Sequence, residues 1–191
     1  MTMRQFLSGR RSVYSVLAMF TLSACSSFSN PLSNETVVAP ECPNIVIVKD
    51  TAELTAFRPG AGRDLTDVVL DARIDGFDGE CETDLESDKS GTVNVDLQMI
   101  FEATRGPANE TRTGEFSFFV AIANREGAIL AKKVFDTEFE FEGNRNRIGG
   151  IEELAQEIPL RPGELGEDFD IFIGFQLDPE QLNYNRAKSA R

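Results

Sequence analysis

The sequence predicts an all-β domain: an antiparallel β-sandwich, immunoglobulin/fibronectin-like, of about seven strands with a short C-terminal helix. Three observations carry this. Apolar and polar residues alternate over several runs, the period-two signature of strands with one face buried. Gly and Pro fall between the runs, where tight turns need them. The fifteen Phe, with many Val, Ile and Leu, are placed periodically, which supplies a core and excludes disorder. An eight-stranded barrel is the runner-up architecture.

The elements follow in order. Residues 45–48 and 54–57 are short apolar runs. After a turn at residues 58–63, Val68, Leu70, Ala72 and Ile74 alternate with charged neighbours. Folded back as one antiparallel ribbon, these segments set Cys42 opposite Cys81 at the open end. Val93, Val95, Leu97, Met99 and Phe101 make the next run, then Phe116, Phe118, Val120 and Ile122, then Phe135, Phe139 and Phe141. Asn124, Arg125, Glu126 and Gly127 read as a hairpin loop, glycine supplying a positive φ. Ile151, Leu154, Ala155 and Ile158 have helical spacing, but Gly149, Gly150 and Pro159 leave no room for a full helix, so a strand is predicted over residues 154–160. Phe169, Ile171, Ile173, Phe175 and Leu177 close the set. Asp178, Pro179 and Gln181 form a helix start, with Asp as N-cap and Pro at the first helical position, leading into a basic, frayed end at Arg186, Lys188 and Arg191.

Composition removes most chemistry. The chain has no histidine, and with it go the usual general base, the usual zinc ligand and the Ser-His and Cys-His pairs. No phosphate-cradling loop or dinucleotide fingerprint is present. Acidic pairs are too abundant to mark a hydrolase, so no enzyme and no cofactor are expected. The net charge of −13 makes nucleic acid a poor partner. One acidic cluster, residues 75–88, reads as a Gly-bearing loop in which Asp84, Glu86 and Asp88 could hold calcium, although the glycine and glutamate of an EF-hand are missing. With no Trp, and Tyr184 the only tyrosine after the leader, stacking platforms for sugars are lacking. Phe119 and Phe172 fall on the opposite parity from their neighbours and are candidate anchors for a partner protein. Arg105, followed by Gly106 and Pro107, is a candidate cation for a partner's carboxylate.

The N-terminus gives the address. Arg4, Arg10 and Arg11 precede an apolar stretch of about a dozen residues, the length of a signal h-region and too short to span a bilayer. It ends in Leu22-Ser23-Ala24-Cys25, which resembles the lipobox of bacterial prolipoproteins. That resemblance implies cleavage before Cys25 and acylation of its thiol, so that residues 1–24 are a signal peptide and Cys25 is the lipidated residue. Loss of the three arginines takes the net charge to −16. Ser26, in place of the aspartate that retains such proteins on the inner membrane of enteric bacteria, suggests the outer membrane, facing the periplasm. Residues 25–40, rich in Ser, Asn and Pro, read as a tether, leaving residues 41–178 for the sandwich and 179–191 for the helix and basic tail. With Cys25 acylated, two cysteines remain, and an oxidising compartment favours a Cys42–Cys81 disulfide. The chain is similar to small envelope lipoproteins of Gram-negative bacteria, the alphaproteobacteria in particular. The expected role is a lipid-anchored interaction or scaffold module, its partners the membrane through the anchor and an envelope protein.

Overall fold

The computed structural model describes residues 42–60 and 62–189; Cys25, the signal peptide and the tether lie outside the described residues. The chain forms eight strands: β1 (Asn44–Ile47), β2 (Glu53–Phe57), β3 (Val68–Leu85), β4 (Gly91–Arg105), β5 (Thr113–Asn124), β6 (Ile129–Glu140), β7 (Arg147–Leu160) and β8 (Phe169–Phe175). They make two four-stranded sheets, a front sheet in the order β1-β8-β5-β6 and a back sheet in the order β2-β3-β4-β7. Every neighbouring pair is antiparallel except β1 and β8. The predicted sandwich is therefore present, with eight strands instead of about seven and no barrel closure.

The alternating residues meet between the sheets. Phe101 of β4 lies 5.1 Å from Phe116, 5.2 Å from Phe118 and 5.8 Å from Phe175 of the front sheet, centroid to centroid. Leu97, Met99, Ile171 and Ile173 complete the same buried core. Rings at these offset distances gain about 0.5–1.5 kcal/mol per pair beyond the area they bury.

Two hairpins show the local chemistry that the turns require. Between β5 and β6, Gly127 takes φ +80°, its N–H donates to Asn124 O, and the Asn124 side chain accepts from Ala128 N. Between β3 and β4, Lys89 takes the left-handed position at φ 66°, and the Asp88 carboxylate accepts from both the N–H and the hydroxyl of Ser90. Those two bonds, the hydroxyl first, hold the Asp88 carboxyl below the usual carboxylate range.

Residues 154–160 are strand, as predicted, and belong to a longer one. Ile158 and Leu160 turn inward against β4, and Pro159 is tolerated because β7 is an edge strand. The helix α1 (Pro179–Ser189) also begins as predicted: Asp178 Oδ1 accepts from the N–H groups of Glu180 and Gln181, and Gln181 Oε1 accepts from Asp178 N.

Three expectations are corrected. The first ribbon does not exist, because β1 leaves the back sheet and pairs with β8. Only β2 folds back on β3, with Glu53 opposite Arg73 and Ala56 opposite Leu70. Cys42 and Cys81 are nevertheless bonded, with Cα atoms 5.8 Å apart, but as a link between the sheets: Cys42 precedes β1 in front and Cys81 sits in β3 behind. The helical end is not frayed at Arg186 and Lys188. Arg186 reaches Asp50 at 2.9 Å and Lys188 reaches Glu53 at 2.6 Å, while Asn185 donates to the carbonyls of Asp50 and Glu53. Finally, residues 75–85 of the acidic cluster are strand, not loop, and only the tip at residues 86–90 turns.

Candidate interaction surfaces

A bulge in β3 explains how an acidic run became strand. Ile74 pairs with Phe101 and Gly76 with Ile100, so one residue is unpaired and the parity flips. Before the bulge the even-numbered residues face the core; after it Phe77, Gly79, Cys81 and Thr83 take the inward places opposite the alternating β4. Asp78, Glu80, Glu82 and Asp84 consequently line the outer face of the back sheet. Glu80 stands opposite Asp96 on β4, and the Asp84 carboxylate accepts from Asn94 at 3.2 Å. Asp88 is committed to Ser90 in the turn. Among the described residues no group of three or more acidic or Cys side chains is placed to hold a metal ion. Asp84, Glu86 and Asp88 are not brought together as such a group: Asp84 stands at the end of β3 and is bonded to Asn94, whereas Glu86 and Asp88 lie in the turn, Asp88 bonded to Ser90.

Phe119 and Phe172 are brought onto one surface, the outer face of the front sheet. Phe119 pairs with Gly174, and Phe172 lies one step along, between Ala121 of β5 and Val46 of β1. Both are half-buried. Gly174 makes this possible, since a Cβ there would sit 2.0 Å from Thr51 Oγ1 and 3.1 Å from the Phe119 ring. Lys132 lies over the same ring, its Nζ 4.4 Å from the centroid, and donates to Gln176 at 2.8 Å. The result is a low apolar patch with one cation at its margin.

Arg105 is elsewhere, at the last position of β4, and it is not a presented cation. Its Nε and Nη2 both donate to Asn109 O, at 3.1 and 2.5 Å, so the guanidinium holds its own loop. The loop has a second organiser that the sequence did not single out. Asn109, fully buried, donates to Thr113 O and accepts from Arg112 N, while Arg112 at φ 62° donates to Phe141 O and Gly143 O. The only forewarning is an Asn two residues after Gly106-Pro107, which is turn chemistry and no more.

Two further concavities, among those of the described residues, lie around β6. A cleft of about 750 Å³ runs past Leu70, Phe116, Ser117, Asp136 and Gln176, and within it the Ser117 hydroxyl donates to Asp136 at 2.6 Å. A smaller one of about 210 Å³ separates the edges of β6 and β7, floored by Phe101 and Phe116 and bordered by Gly149 and Gly150. Thr137 of β6 bridges it by donating to Glu152 of β7 at 3.1 Å. Sequence reasoning missed these edges; the signals were Lys132 and Lys133 side by side in an acidic chain and the adjacent glycines 149 and 150.

No family model matches the chain, and no curated protein matches it. Among solved structures it is similar to the variable domain of the AgI/II polypeptide BspA of Streptococcus agalactiae, at 14% identity over 68% of this chain and 75% of that one. The TM-score of that superposition is 0.20.

Proposed function

We propose that this chain is a lipid-anchored interaction module of the Gram-negative cell envelope, acylated at Cys25 and carrying its β-sandwich into the periplasm from the outer membrane to bind an envelope protein. The observation that carries the reading is the Cys42–Cys81 bond, which belongs to an oxidising compartment and agrees with the export signal at Leu22-Ser23-Ala24-Cys25. Two acyl chains or more make anchoring stable, at about 0.8 kcal/mol per buried methylene. Binding, and not catalysis, suits a domain with no histidine and a half-buried apolar pair at Phe119 and Phe172 on one face of an acidic chain.

The test has two arms. Cells fed a palmitate analogue should label the wild-type chain and not the Cys25→Ala variant; an unlabelled wild-type product with its leader intact would remove the anchor. Photo-crosslinking from Phe119 or Phe172 should capture one reproducible envelope protein, and loss of that product on Phe172→Ala would tie the contact to the patch. A chain that crosslinks to nothing there rejects that surface.

A further inference from the structure

We infer that β6 is a self-association edge, on which a second copy of this chain adds its own β6 antiparallel about a two-fold axis at Val134. On one side β6 is hydrogen-bonded to β5; the other side is the end of the front sheet. Its burial changes along its length. From Phe135 onward alternate residues are half-buried over the layer beneath, whereas every residue from Ile129 to Val134 is exposed. The first half of the strand thus projects beyond the back sheet with both faces in solvent. Beside Lys132 and Lys133 it presents three large apolar side chains there: Ile129 is 56% exposed, Leu130 52% and Val134 45%. An exposed edge strand with unpaired backbone groups is a template for another strand.

Charge selects the occupant. Lys132 and Lys133, two of the chain's five lysines, sit before Val134; Asp136, Glu138 and Glu140 come after it. Laid antiparallel on itself about Val134, the strand sets Lys132 opposite Asp136 of the second copy, Lys133 opposite Phe135 and Val134 opposite Val134, and the symmetry makes each unlike pair twice. Paired residues keep the same face, as strand geometry demands. Lys133 Nζ already lies 4.7 Å from the centroid of its own Phe135, so the cation is at the surface where the second Phe135 would arrive. A parallel addition would instead set lysine against lysine. The neighbouring edge β7 has no such pattern: antiparallel self-pairing about Ala155 would place Glu153 opposite Glu157. An isologous contact through β6 closes as a dimer with one continuous eight-stranded sheet.

The inference does not depend on the lipid anchor, and its test separates the two. The full chain carrying Val134→Cys, expressed in cells and run without reductant, should form a disulfide-linked homodimer, whereas Leu65→Cys, exposed in the connection from β2 to β3, should not. Sedimentation of the detergent-purified wild-type chain should show a reversible dimer. Lys132→Asp should raise its dissociation constant about tenfold or more, through two lost pairs and two new repulsions, and adding Asp136→Lys should restore it. A wild-type chain monomeric at every concentration, or a charge swap that fails to rescue a variant of unchanged melting temperature, overturns the proposal. Either result leaves palmitate labelling and partner capture at Phe172 to be judged alone.

Discussion

At β1 and β2 the sheets end in strands of 4 and 5 residues; at β6 and β7 they end in strands of 12 and 14. The short side is covered. Helix α1 lies against β2, with Tyr184 edge-on to Phe57 at 5.1 Å and Asn185 satisfying two carbonyls, and Cys42 is bonded across to β3. On the long side Thr137 bridges to Glu152 over a cleft bordered by glycines. Along β1 and β2 the edge is finished by contacts within the chain, while β6 and β7 keep backbone donors and acceptors for contacts outside it. Proteins that shield one set of edges and leave another open confine strand addition to the open set.

The largest break in this contrast comes from removing the covalent link. Cys42→Ser with Cys81→Ser opens a loop of 39 residues, and the chain-entropy model gives a loss of about 4 kcal/mol in unfolding free energy. Urea denaturation checks it, and a loss below about 1 kcal/mol would mean the covered side stands without its bond. The glycines sharpen the contrast. Gly174→Ala drives a methyl into Thr51, on the crossing from β1 to β2, and should cost about 1–3 kcal/mol. Gly150→Ala meets nothing within 4 Å on the open side, so the same measurement should find it neutral or stabilising by up to about 1 kcal/mol.

The smallest effect is a matter of pH. The hydrogen bond to Glu53 raises the Lys188 ammonium above its ordinary value of 10.5. A raised folded value means the contribution is complete below 10.5 and disappears as pH climbs through the folded value. Both groups are about half exposed, so no more than about 1 kcal/mol is at stake. The melting temperatures of wild type and Lys188→Met should converge at strongly alkaline pH; a gap that widened there would contradict the ion pair.

Much of the fold was legible because its information is local. Alternation in β4, β5 and β8 marks the buried face directly, and Asp178-Pro179 marks a helix start through hydrogen bonds spanning three residues. The failures are non-local. Nothing inside Asn44–Ile47 says that its partner is β8, more than a hundred residues away, so sequence alone places β1 in the wrong ribbon while still pairing Cys42 with Cys81. The bulge at Ile74–Gly76 is equally hidden: acidic residues around two glycines look like a loop until β4 supplies a strand for them to pair with. Arg105 failed for a related reason, since only the folded loop brings Asn109 O to its guanidinium. Phe119 and Phe172 were legible as a break in parity, and their meeting on one face required the β5–β8 register.

The position of the disulfide also determines how the domain takes a pull. Cys42 stands two residues before β1, so any tension arriving from the N-terminal side reaches this bond before the four-residue strand. The load then passes into β3, which holds β4 over fifteen paired positions. Peeling β1 from β8 one hydrogen bond at a time is thereby bypassed, and unravelling must begin by shearing a long ladder.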